Sequence, residues 1–215
     1  MINRLELRFD GVRAAKNLGK DLVDQKSDTV HTSQQILDIA QRLVQTRGFN
    51  AFSYADIGST LSVSKASLHY HFASKASLGV RLIERYEDEF ERLLGGIDLS
   101  GGNAALKLQR YVLVYAHVLA DQRMCLCGML AAEFETLPKA MQTALESYFA
   151  LNERWLVTVL EEGRDGGILH FKGPASEAAQ YIIGSLEGSM MMARSHGGMA
   201  RFDAATRRLL ADFGI

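Results

Sequence analysis

The stretch from Phe52 to Leu78, FSYADIGSTLSVSKASLHYHFASKASL, constrains the fold more than any other part of the chain. Ser53 precedes an apolar-periodic run and Asp56 stands three residues on, the spacing at which each side chain accepts a free backbone N–H at a helix start. This predicts a short helix from about Tyr54 to Leu61. Ser62-Val63-Ser64 then breaks the pattern, with Val63 as an apolar plug and Ser64 as the N-cap of a second helix only about two turns long. Two such helices across a tight turn form a helix-turn-helix. The second would present Lys65, Ala66 and Ser67 to base edges in a DNA major groove, with Leu68 and Phe72 turned inward. Lys65 is long enough to reach guanine O6/N7, while Ala66 and Ser67 are small enough to permit close approach.

Upstream, Ser33 to Arg47 places Ile36, Ile39, Ala40, Leu43 and Val44 on one helix face, and Gly48 with Phe49 reads as its stop. Downstream, Ser74 and Lys75 open another helix, whose positive N-terminus is a natural seat for a phosphate. The segments ILDIAQRLVQTRGFNAFSYADIG and SVSKASLHYHFASKASL, roughly Thr32 to Leu78, resemble the N-terminal domain of TetR-family transcriptional regulators. That resemblance implies an all-α protein: an N-terminal three-helix helix-turn-helix DNA-binding domain, then a C-terminal helical domain for ligand binding and dimerisation. It makes Ser53, Tyr54, Lys65, Ala66, Ser67, His69, Tyr70, His71 and Lys75 the DNA-contact candidates. Three positions depart from the family pattern: Gly58 where alanine is usual, Ser62 where glycine is usual, and Ala73 where proline or glycine is frequent. Gly58 should weaken its helix by up to about 1 kcal/mol, and Ser62 must adopt a conformation that suits glycine better.

The domains expected are therefore an extension over residues 1–31, the DNA-binding domain over 32–78, and an effector-binding and dimerisation domain over 79–215. The extension mixes strand-like and helix-like spacing, which gives no firm assignment and leaves a disordered segment open. It reads either as an arm touching DNA through Arg4, Arg8, Arg13 and Lys16 or as a segment without function. The formal net charge of the 215 residues is −1, so affinity for DNA must come from a local surface rather than a global field. Two prolines and no sustained alternation fit an all-helical chain, and no apolar run of membrane length is present, so a cytoplasmic protein is expected.

Beyond Leu78, a connecting helix carrying Leu82, Tyr86, Phe90 and Leu93 should end at Gly95-Gly96. Further helices are marked by Leu106 to Leu119, by Met129, Leu130 and Phe134, and by a run from Pro138 to about Glu162. A helix from about Pro174 to His196 is rich in small and apolar residues, and a final one carries Leu209, Leu210 and Phe213. A helix apolar on more than one face serves both a core and a partner, which points to a homodimer with a four-helix interface. Two helix-turn-helix units related by a two-fold axis would read a palindromic double-stranded operator. The resemblance also implies a small-molecule effector between the helices, with Tyr111, Tyr115, Met129, Phe134, Trp155 and Met190 to Met192, Met191 included, as candidate walls. Aromatic and methionine residues at helical spacing are more often plain core.

Cys125 and Cys127, in RMCLCGMLAAEF, are the only cysteines. Arg123 is close enough in sequence to favour a thiolate, and Cys125 matches the sensing position of an electrophile- and oxidant-sensing branch of the family. Modification by a quinone, aldehyde or hypochlorite would then release the DNA. A disulfide across one residue is strained, so an alkylated or sulfenic form, or a bridge between subunits, is easier. Two reduced core cysteines, or a soft-metal site with His117, are the competing readings. Catalysis has little support: His69 and His71 point in different directions on a helix, and no phosphate loop, zinc helix or nucleophile elbow occurs. No cofactor, metal or catalytic residue is assigned. The expected function is a repressor released by an effector or by cysteine modification, with a helical DNA-binding protein lacking effector control as the alternative.

Overall fold

The computed structural model describes residues 31–215, all of whose regular elements are helical. Helix α1 covers 31–47, followed by α2 (Tyr54–Leu61), α3 (Lys65–His71) and α4 (Lys75–Leu99). The second part comprises α5 (Ala104–Ala120), α6 (Leu126–Ala132), a 3-10 turn (Phe134–Thr136), α7 (Lys139–Asp165), α8 (Ala175–Ser195) and α9 (Gly198–Ala211). The extension expected over residues 1–31 lies outside the described residues except for His31, which is already helical.

Local chemistry sets the N-terminal elements. Ser53 and Asp56 occupy the capping-box positions at the start of α2, with the Ser53 N–H donating to Asp56 Oδ2 at 2.7 Å. Ser62 ends α2 in the left-handed region at φ 58°, and Ser64 caps α3 by accepting from the Ser67 N–H at 3.1 Å. Gly58 has a packing reason: a Cβ there would sit 3.0 Å from the Val63 carbonyl, so the helix-propensity cost permits a tight turn. Leu68 and Phe72 are buried against α1 and α2 residues in one continuous core. Arg85 of α4 braces this unit, donating to Asp38 at 2.7 Å and to Gln41 at 2.6 Å on α1.

Helix α4 does not stop at Gly95-Gly96 but continues to Leu99. Leu94 and Ile97 are buried on either side of the glycines, and Asp98 is held by Trp155 Nε1 at 2.9 Å and Lys107 Nζ at 3.1 Å. These anchors outweigh the ~1 kcal/mol that each glycine costs a helix. Phe134 likewise falls outside α6, in the 3-10 turn, where its carbonyl accepts from Gln142 Nε2 at 2.9 Å. Helix α7 packs on both α4 and α8, and α8 packs on α9. Among the described residues, no helix is long and apolar enough to cross a membrane.

Candidate DNA interface and buried thiol site

At the helix-turn-helix end, Lys65, Ala66, His69 and Tyr70 are exposed on α3, while Ser67 and His71 are half-exposed. Tyr70 is 78% exposed, far more than packing alone would leave a tyrosine. Ser53 is exposed beside the α2 start, with its hydroxyl bound to Asp56 at 2.8 Å. Two candidates lie elsewhere. Tyr54 is buried and donates its hydroxyl to the Phe72 carbonyl at 2.8 Å, locking α2 to the end of α3. Lys75 turns its ammonium inward to the carbonyls of Phe49, at 2.5 Å, and Phe52, over both of their rings. Burial holds its pKa below the usual lysine value. Both side chains are thus structural ties of the reading head in this conformation.

The effector candidates divide in the same way. Tyr111 and Tyr115 are fully buried; Tyr111 donates to Asn152 Oδ1 at 2.9 Å and stacks on Trp155 with centroids 5.5 Å apart. Met190 is buried, whereas Met191 and Met192 face outward, at 46% and 49% exposure, and form no inner wall. Met129 and Phe134 pack at the core margin. Tyr86, Phe90, Val114, Tyr115, Val118, Cys125 and Met190 surround a slot of only about 10 Å³. That is room for about one water, against the ~300 Å³ or more typical of ligand pockets.

Cys125 is the N-cap of α6, its Sγ accepting from the Gly128 N–H at 3.5 Å. The hydroxyls of Tyr148 and Tyr86 lie 3.9 and 4.0 Å from the sulfur. The expected help from Arg123 is absent: its guanidinium binds Asp121 at 2.7 Å and Gln45 Oε1 at 3.2 Å. Burial, and then the Glu187 carboxylate, push the thiol well above its ordinary pKa, so the resting sulfur is a neutral thiol. Cys127 is also fully buried, so a bridge between subunits would require either sulfur to leave the core. Among the described residues, no three His, Cys, Asp or Glu side chains converge as a metal site.

Glu187 was not among the sequence candidates. It interrupts the apolar face of α8 between Ile183 and Met190, at helical spacing from both. The residue as a whole is partly exposed, but both carboxylate oxygens are buried, with no hydrogen-bond partner besides the neighbouring Cys125 thiol. Burial pushes its pKa up to about 7, and the neighbouring Cys125 thiol offsets this in part. Gly128 makes the space, since a Cβ there would overlap the Glu187 carboxylate. A charged residue on a core-facing register was the available signal.

The segment around α6 also grips the DNA-reading head at both ends. Before it, the Met124 N–H donates to the Gln45 carbonyl at 3.1 Å. After it, Glu133 accepts from the Phe49 N–H at 2.8 Å and the Asn50 N–H at 3.3 Å, and Thr136 accepts from Asn50 Nδ2 at 2.8 Å. From α8, Arg194 donates to the Gln45 carbonyl at 3.1 Å and to that of Thr46.

An exposed two-turn helix held by a capped helix-turn-helix, on a larger helical body with its own buried polar site, is the architecture of a helix-turn-helix DNA-binding regulator. Residues 36–82 match the family model "Bacterial regulatory proteins, tetR family", and residues 105–209 match "Tetracyclin repressor-like, C-terminal domain". A solved TetR-family transcriptional regulator from Agrobacterium tumefaciens is 32% identical, with a TM-score of 0.83 over 86% of this chain and 98% of that one. The chain belongs to the TetR family of transcriptional regulators. It is also similar to the HTH-type transcriptional repressor NemR of Escherichia coli K12, at 26% identity over 76% of this chain and 84% of that protein. The structure of the reduced form of E. coli NemR superposes with a TM-score of 0.72 at 25% identity, covering 85% of this chain and 97% of the other.

Proposed function

We propose that this regulator is a repressor that binds a palindromic operator as a homodimer and lets go when Cys125 is modified. The carrying observation is that the Cys125 thiol caps α6, the helix whose flanks hold Gln45, Phe49 and Asn50 of the reading head. A group added to Sγ has no free volume in the slot, so α6 must shift, and those bonds must shift with it. An effector acts only through its different affinity for the two states, and a modified thiol fits only the displaced one. A tilt of α4 belongs to the same movement, because Lys75 at its start and Glu133 after α6 hold the same Phe49 loop. The near-closed slot favours covalent modification over a preformed reversible pocket.

DNA contact is assigned to Lys65, Ala66, Ser67, His69, Tyr70 and His71, with Ser53 at the α2 start. Lys75 and Tyr54 act by holding α3 in place. Dimerisation is assigned to the outer face of α8 with α9. Tyr181, at 49% exposure, and Met192 flank Gly184 and Gly188, over which open space remains, and Arg201 and Arg208 border the groove. A close helix–helix approach over such a small-residue face suits a four-helix interface.

Selection of bound duplexes from a random pool tests the reading. The expected product is a palindrome with half-sites about one helical turn or a multiple apart, bound with a steep salt dependence. Recovery of no preferred sequence would remove the repressor assignment.

A further inference from the structure

Cys125 alone is a poor nucleophile, because it is neutral and enclosed. Reaction with an electrophile therefore requires its proton to go somewhere, and the slot has room for about one water. The group placed to take it is on α8. We propose that Glu187 is the proton acceptor for Cys125 and that the pair forms a reaction site for small, uncharged α,β-unsaturated carbonyl compounds. The inference rests on the thiol-sensor reading and adds the residue that makes the thiol reactive and the class of electrophile it selects.

Three features of the geometry point there. Both carboxylate oxygens of Glu187 are buried with no hydrogen-bond partner besides the Cys125 thiol, an arrangement that costs free energy. Gly128, which donates its N–H to Cys125 Sγ, also leaves the notch that the carboxylate occupies. The remaining ionisable groups bearing on Glu187 or Cys125 are Tyr86 from α4, Tyr111 and Tyr115 from α5, Cys127 from α6 and Tyr148 from α7. None is basic, so nothing competes as acceptor or neutralises the carboxylate. The tyrosines stay protonated because burial raises their pKa values, and Tyr86 and Tyr148, both beside Sγ, are hydrogen-bond donors for a carbonyl oxygen.

The step balances without a co-reactant. Sγ bonds to the β-carbon while the S–H proton passes to the Glu187 carboxylate. The carbon–carbon π pair moves to the carbonyl oxygen as an enolate, held by a phenol. The proton then returns from Glu187 to the α-carbon, leaving a thioether and a regenerated carboxylate. A negative carboxylate in an apolar slot repels anions, so uncharged electrophiles are selected.

The test is the rate of Cys125 alkylation by methyl vinyl ketone, followed by intact-mass spectrometry from pH 5.5 to 9.5. The chains are Cys127→Ser, alone and combined with Glu187→Gln or Gly128→Ala. The parent rate should rise through about pH 7, where Glu187 ionises, and then level. Glu187→Gln, and Gly128→Ala, which displaces the carboxylate, should react at least tenfold more slowly at pH 7.5 and keep rising to pH 9.5. Circular dichroism shows whether each variant is folded; if neither is, the parent profile decides by itself. A parent rate that climbs without levelling, or a Glu187→Gln rate equal to the parent's, would overturn the role of Glu187 while leaving Cys125 a sensor. A Cys125 that takes no label at any pH would instead remove the thiol-sensor reading beneath it.

Discussion

Helices α3 and α6 are both seven residues long, and they treat their side chains in opposite ways. Helix α3 buries only Leu68 and turns Lys65, Ala66, His69 and Tyr70 to solvent, so its sequence can be chosen for a partner outside the molecule. Helix α6 buries Leu126, Cys127 and Leu130, is capped by a buried sulfur, and faces a buried carboxylate from α8. The first is a surface made rigid by one apolar anchor and two caps. The second is a core element carrying polar groups that a core tolerates poorly, with both flanks bonded to the unit that holds the first. The proposed output and input thus differ in burial as much as in position, and the bonds to Gln45, Phe49 and Asn50 join them.

The contrast can be broken most forcefully at the anchor. Leu68→Ala should destabilise the reading head by about 2–5 kcal/mol, measured by urea denaturation. Tyr70→Ala, on the same helix, should leave stability within about 0.5 kcal/mol and still weaken operator binding. If Tyr70→Ala also destabilised, α3 would not be a freely variable surface.

The next effect is at Glu187. Its folded pKa of about 7 lies above the ordinary carboxylate value, so its contribution to stability is full at low pH. That contribution is lost as the pH rises from the unfolded value through about 7. Glu187→Gln should therefore flatten the stability–pH curve in that window and be more stable than the parent at pH 8 by about 1–3 kcal/mol. Parallel denaturation curves at pH 5 and pH 8 measure it. Similar pH dependence in both chains would mean that the carboxylate is solvated.

Glu133→Ala leaves the Phe49 and Asn50 N–H groups without their acceptor and should cost about 1–3 kcal/mol in stability. Its sharper readout is coupling: operator release on thiol alkylation should shrink while alkylation itself proceeds. The smallest effect belongs to Lys65→Ala, which should lower the slope of log affinity against log salt by about one if the ammonium meets a phosphate. An unchanged slope with altered sequence preference would place it on a base edge.

The same contrast explains what could be read from the sequence. The bounds of α2 and α3 followed from Ser53, Asp56, Ser62 and Ser64, because caps and turns are decided by residues three or four apart. The continuation of α4 through Gly95-Gly96 could not be read, since it depends on Asp98 meeting Trp155 and Lys107 from distant segments. Tyr54 and Lys75 were placed on the outside by motif position, while folding turns one onto the Phe72 carbonyl and the other onto those of Phe49 and Phe52. Cys125 was legible as a candidate, but not its neutral state, because Arg123 was its neighbour only in sequence. Glu187 was hidden among small and apolar residues, and its isolation from any cation appears only once α8 packs beside α6.

The most direct test of the central claim is operator affinity by fluorescence anisotropy, before and after methyl vinyl ketone, for the parent chain, Cys125→Ser and Cys127→Ser. The reagent should abolish binding by the parent and by Cys127→Ser and leave Cys125→Ser bound. Release of Cys125→Ser as complete as that of the parent, or no release of the parent once mass spectrometry shows Cys125 alkylated, would contradict it.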